Sequence, residues 1–211
     1  MTPEAGHRHL SPKRRRLRHF LLQLLPVTAG ILIALLIDGL VELQRERALV
    51  SAARSAIAAE ISANASDLNA KLAALTTMQD DLARVSQLVD DILNSGRTAI
   101  DEFGYDMPRA NLDRASWESA ERTGALGYMD YEDVRKYSGL YALQDRVQES
   151  QRDVLARLPV LGIIVHAMSS GDPEGYVQDL QNKRADVAEV QVALRNYVDL
   201  ANALAAEYAA F

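Results

Sequence analysis

Cysteine is absent from the 211 residues, which excludes disulfides, thiol catalysis, iron–sulfur clusters and thiolate zinc sites. Aromatic residues are few, with one tryptophan and three phenylalanines, and there are four histidines. Neither glycine nor proline occurs between Gly39 and Gly96, so nothing in that stretch interrupts a helix. Positive charge is scarce outside the N-terminus. Residues 1–20 hold six Lys/Arg (Arg8, Lys13, Arg14, Arg15, Arg16 and Arg18) against Glu4, a net +5. The remaining 17 basic and 28 acidic residues leave −11. An acidic body is a poor partner for phosphates, so nucleic acid is not an expected ligand. Also missing are a nucleophile elbow, a phosphate loop, a dinucleotide fingerprint and a zinc-protease helix. The expectation is a non-enzymatic protein without metal or cofactor.

One long apolar run is present. Residues 20–37 read FLLQLLPVTAGILIALLI, 18 residues without a charge. Extended to Val41, the run is about 33 Å of helix, against a hydrocarbon core of about 30 Å. Val27-Thr28-Ala29 resembles a signal-peptidase site, but ILIALLI follows at once and would leave a mature protein starting with bare apolar helix. The expectation is an uncleaved transmembrane helix at 20–41, in a bacterial inner membrane. The basic residues of the 1–19 tail place the N-terminus in the cytoplasm and residues 42–211 outside it, by the positive-inside rule. Pro26, Gly30, Ala34 and Asp38 recur every four residues along one stripe. The small residues suit close approach of a second helix. Asp38 reads as a boundary carboxylate, or as an ion-path residue if several copies bring it together.

The rest reads as all-α, three long helices and one short one: about 42–94, 111–123, 131–168 and 173–209. The first is a direct continuation of the membrane helix into a long-helix bundle or coiled-coil-like domain. Its expected seam is Ile61, Ala65, Leu68, Leu72, Leu75, Gln79, Leu82, Ser86, Val89 and Leu93. Residues 96–110 form the longest irregular connection, a candidate contact loop. Asp130 and Asp133 have capping-box spacing. The third helix would bury Val134, Tyr137, Tyr141, Val147, Val154, Leu158 and Leu161, with a break near Pro159 and Gly162. In the last helix, Asp172 and Pro173 suit its start. Val187, Val190, Leu194, Tyr197, Ala201, Leu204 and Tyr208 are its expected buried face.

Residues 115–141, ASWESAERTGALGYMDYEDVRKYSGLY, together with the span Gly30–Asp38, resemble a family of uncharacterised bacterial single-span membrane proteins. The matching pieces are the basic N-terminus, a G-I-L-I-A-L-x-I-D span, the long helix after Glu42, Trp117, Thr123-Gly124-Ala125-Leu126 and Leu140-Tyr141. Gly39-Leu40 departs from the polar and Trp residues usual after the span. The resemblance implies the architecture and carries no activity.

Among single residues, Trp117 is expected to anchor the short helix, beside a turn at Gly124. Tyr137 and Tyr141 share a helix face and read as amphipathic core residues. His166, alone in an apolar patch, reads as structural. Glu118, Glu121, Asp130, Glu132 and Asp133 are the densest acidic neighbourhood, but their spacing matches no calcium loop. The expected function is a membrane-anchored interaction or scaffold protein. It would self-associate or serve as an accessory subunit of a larger membrane complex, with the bilayer as its other partner and no small-molecule ligand. The alternatives are a small channel using Asp38 and a sensor module using residues 96–130.

Overall fold

The computed structural model describes residues 12–95, 107–162 and 173–211, and among them it is helical without strands. Residues 1–11 of the basic tail, residues 96–106 of the expected contact loop, and residues 163–172 with His166 lie outside the described residues. The chain divides into two compact units, Met1–Val50 and Ser51–Phe211.

Helix α1 runs from Pro12 to Ser95, 84 residues, and contributes to both units. It starts earlier than the apolar run, because Pro12 suits a first helical position and no breaker follows before Pro26. Pro26 lies inside the helix, where it removes one main-chain donor. Near it, Thr28 folds its hydroxyl back onto the Leu24 carbonyl at 2.7 Å, so the polar group is satisfied within its own helix. In this first unit the large apolar side chains from Leu24 to Leu43 are exposed all round.

The second unit begins with α1 at Ser51 and adds α2 (Ala115–Arg122), a 3-10 turn (Ala125–Tyr128), α3 (Tyr131–Arg157) and α4 (Pro173–Tyr208). The short helix is shorter than expected, since residues 107–114 before it are not helical. Along that segment burial alternates, with Ala110 and Leu112 inward and Asn111 and Asp113 outward, a two-residue period that suits extended chain. Helix α3 ends at Arg157, Leu158 forms a turn, and residues 159–162 are helical again.

Cross-helix bonds fix the directions. Arg54 of α1 meets Asp133 of α3 and Asn64 meets Gln144, so α1 and α3 run parallel. Gln191 of α4 donates to the Leu82 carbonyl and Arg184 pairs with Asp90, so α4 runs antiparallel to α1. Two parallel helices need a return connection between them. The segment 107–114 with α2 provides it, descending from the level of Gln151 to that of Glu60.

The buried face of α1 differs from the expected seam in one row. Ile61, Leu68, Leu75, Leu82 and Val89, every seventh residue, are buried as expected. Their flanking rows are unequal: Ala65, Leu72, Gln79, Ser86 and Leu93 are half-buried, whereas Ile57, Asn64 and Met78 are buried. A helix covered by two neighbours buries a wider stripe than a two-helix seam. In α3, Tyr141, Val147 and Val154 are buried with Leu140 and Gln144, while Val134 and Tyr137 are half-buried. All seven positions expected on α4 are buried.

Leu75→Ala empties a fully buried site and should cost about 2–5 kcal/mol, measured as a shift of the urea midpoint. Leu72→Ala, at a half-buried position three residues away, should cost less than half of that in the same measurement.

Candidate functional site

The expected residues fall into two separate groups. Pro26, Gly30 and Asp38 are exposed on the first unit, and so is Ala34. A methyl group built on Gly30 would meet nothing within 4 Å, so this face of the helix is open. Trp117, Gly124, Tyr137 and Tyr141 belong to the second unit, where three of them meet. The Trp117 ring stacks on Tyr141, with centroids 5.3 Å apart, and lies tilted against Tyr137 at 6.4 Å. Tyr137 in turn stacks on Phe211, tying the C-terminus to α3. Gly124 does not touch this cluster through a side chain. It supplies the left-handed turn, φ 76°, that lets the chain leave α2 for the 3-10 turn.

Around this aromatic cluster is an arrangement of polar side chains that sequence reasoning missed. An extended segment inside a helical domain has no ladder partner, so its N–H and C=O groups must bond to side chains or water. Here α1 and α3 furnish the partners. From α1, Asp67 accepts from the Asn111 amide at 2.7 Å. Asn64 grips Asp113 from both sides of its peptide unit, accepting from its N–H at 2.9 Å and donating to its carbonyl at 2.7 Å. Glu60 accepts from the Ser116 amide at 2.7 Å. From α3, Gln151 accepts from the Ala110 amide at 3.0 Å and donates to its carbonyl at 3.3 Å. Gln148 donates to the Leu112 carbonyl. Gln144 donates to the Asp113 carbonyl at 2.9 Å.

Both sets of side chains are spaced four then three: Glu60, Asn64 and Asp67 on α1, Gln144, Gln148 and Gln151 on α3. Each set therefore lies along one face of its helix. Gln144 is fully buried and uses its whole hydrogen-bonding capacity. Beyond its carbonyl contacts, its oxygen accepts from Asn64 at 3.2 Å and from the Tyr208 hydroxyl at 2.6 Å. Tyr197 donates to Gln151 at 2.8 Å, and Tyr141 donates to Glu60 at 2.6 Å. Helix α4 thus closes the network with two tyrosines. Only the seven-residue spacing of Gln144 and Gln151, in line with Tyr137 and Leu158, marks these glutamines as core residues in the sequence.

Four of the five residues of the acidic neighbourhood, Glu118, Asp130, Glu132 and Asp133, are in ion pairs. Asp130 stands at the N-terminus of α3 but its side chain does not cap the helix, in place of the expected capping box. It and Asp133 take Arg54 of α1 instead, at 3.3 and 2.7 Å. Glu118 is shared by Arg114 and Arg122. Asp145 holds Arg114 through both carboxylate oxygens at 2.6 and 2.7 Å. Among the described residues no three histidines or carboxylates converge on a metal position.

Burial raises the hydroxyl pKa of all three core tyrosines. Tyr197 is pushed up to about 12 by its loss of solvent, with the Ala110 backbone pulling the other way. Tyr208 and Tyr141 move further upward, first through burial, and Tyr141 also through its bond to the Glu60 carboxylate.

No family model, curated protein or solved structure matches the chain. The geometry therefore carries the functional reading by itself. What it offers is a self-sufficient helical unit whose polar core is consumed by its own return segment, joined through one helix to an uncovered apolar surface.

Gln144→Leu would leave the buried Tyr208 hydroxyl without its acceptor and take one bond each from Asn64 and the Leu112 and Asp113 carbonyls, and should cost about 1–3 kcal/mol in urea unfolding. Alkali provides a second check. A raised tyrosine pKa leaves stability intact below about pH 10, where unfolded tyrosine starts to ionise, and removes it as pH rises toward the folded value. Stability should fall between about pH 10 and 12, and Tyr197→Phe should flatten that slope.

Proposed function

We propose that this is a membrane-anchored, non-enzymatic interaction protein, held by residues 20–41 and associating through that helix with a second copy or with a larger membrane complex. The observation that carries the reading is the apolar surface from Leu24 to Val41. None of the described residues covers it, and it is long enough to cross a membrane by length and composition. An exposed apolar area of that extent on a soluble protein would aggregate, and lipid is its natural solvent. The self-bonded Thr28 hydroxyl suits the same environment.

The face Pro26, Gly30, Ala34 and Asp38 is the part of the helix at which another backbone could come closest, since Gly30 is open. The basic tail keeps the N-terminus in the cytoplasm, and the helices of the second unit form an extracytoplasmic bundle. Membership of the single-span family that the sequence resembles belongs to the same proposal.

Two measurements test it. The protein should stay in the membrane fraction after alkaline carbonate extraction, and release into the supernatant would sink the anchor. Gly30→Leu should reduce crosslinked dimers or complexes in native membranes at least severalfold while leaving the protein membrane-bound. An unchanged crosslinking pattern would remove the helix face from the interface.

A further inference from the structure

Four elements of the second unit meet at one end of it. Helix α1 enters there at Ser51, the 3-10 turn closes at Tyr128, α3 starts at Tyr131 and α4 finishes at Tyr208. Contacts fix the levels. Arg54, in the first turn of the unit, pairs with Asp130 and Asp133, and Phe211 stacks on Tyr137 at 5.6 Å. Among the described residues of this unit, four large hydrophobic side chains are exposed: Tyr128, Tyr131, Val192 and Phe211. The three aromatic ones all stand at this end, with Tyr131 77% exposed. Val192 is remote, since its neighbour Gln191 bonds at the level of Leu82. Tyr128 and Tyr131 lie on either side of Met129, which is buried with Ala125 and pins the turn to the core, so both rings are presented outward.

We propose that this aromatic end is a lipid-docking surface, resting among the headgroups of the membrane that holds residues 20–41. The inference rests on the membrane reading above. Reach favours lipid as the occupant. Residues 44–50 separate Leu43, the last exposed apolar side chain of the first unit, from Ser51, and even fully extended that link spans no more than about 30 Å. Headgroups are therefore offered to this end at a high effective concentration. The chemistry agrees. Tyrosine carries an apolar ring with a polar tip, and such rings concentrate at the headgroup level of membrane proteins. Exposed polar residues, Asp130 and Glu132 among them, lie between the rings, so there is no dry continuous patch of the kind a protein partner covers. Charge does not oppose contact either. The chain beyond residue 20 is acidic, but at the start of α3 Asp130, Glu132 and Asp133 are offset by Arg54, Arg135 and Lys136.

Because the chain has no cysteine, single cysteines can be introduced and labelled without background. The full-length protein, reconstituted in vesicles of phosphatidylethanolamine and phosphatidylglycerol, carries a bimane label at one of three positions. Gly127→Cys reports the aromatic end, being exposed beside Tyr128 with open space where its Cβ would go. Leu32→Cys reports the span, and Val192→Cys reports the unit away from this end. Nitroxides on the headgroups should quench the label at position 127 at least about twofold and spare the one at 192, while acyl-chain nitroxides quench the one at 32. Replacing Tyr128, Tyr131 and Phe211 together by Ser should remove most of the quenching at 127 with helicity unchanged, since all three are exposed. Replacing the same three by Trp should keep it. An unquenched label at 32 would overturn the membrane reading, and the docking surface with it. A quenched label at 32 beside an unquenched one at 127 would overturn the docking surface alone. So would quenching at 127 that survives the three serines, because tethering by itself would then account for it. Shielding of that label from aqueous iodide without nitroxide quenching would give the surface to a protein and overturn the lipid assignment.

Discussion

Two parallel helices, α1 and α3, enclose the extended return segment 107–114, and the main chain of that segment has to be satisfied. Were it a helix, its amides and carbonyls would bond internally; in a sheet, a neighbouring strand would take them. In this position neither is available. Five polar side chains from the flanking helices do the work instead, Asn64 and Asp67 from α1 and Gln144, Gln148 and Gln151 from α3, while Glu60 takes the first turn of α2. Where such a bond is buried, removing the side chain leaves a polar group unpaired, which costs more than the bond itself contributes. The alignment of α1 with α3 is consequently set by polar contacts as much as by apolar packing.

Helix α4 depends on the same network. Its apolar rows are interchangeable in principle, because leucine and valine specify position weakly. Tyr197 and Tyr208 remove that freedom, each with one hydroxyl that must reach a particular glutamine. The aromatic stack of Trp117, Tyr141, Tyr137 and Phe211 completes the same end of the unit, fastening both α2 and the chain terminus. A fully satisfied polar network of this sort selects one arrangement among several that the apolar core would tolerate.

The apolar part of α1 obeys different rules. Its side chains are exposed and its polar hydroxyl turns inward on its own backbone. In the second unit the same helix carries a polar outside and a buried stripe. One helix thus carries an exposed apolar surface in the first unit and a buried apolar stripe in the second.

The sequence by itself determined the helices. The absence of breakers, the apolar run and the seven-residue rows of α1 and α4 dictate helix and buried face locally, through propensity and periodicity. Trp117 and Tyr141 were recognisable as core aromatics for the same reason, and Gly124 as a turn. The tertiary structure decided the rest. Which row flanks Leu68 and Leu75 depended on where two neighbours lie. Asp130 and Asp133 have the spacing of a local cap, yet a distant arginine, Arg54, wins them. Glu60, Asn64, Gln144 and Gln151 resemble ordinary surface residues of a helix-rich composition. Their role exists only because an extended segment passes between α1 and α3, and no local pattern records that approach.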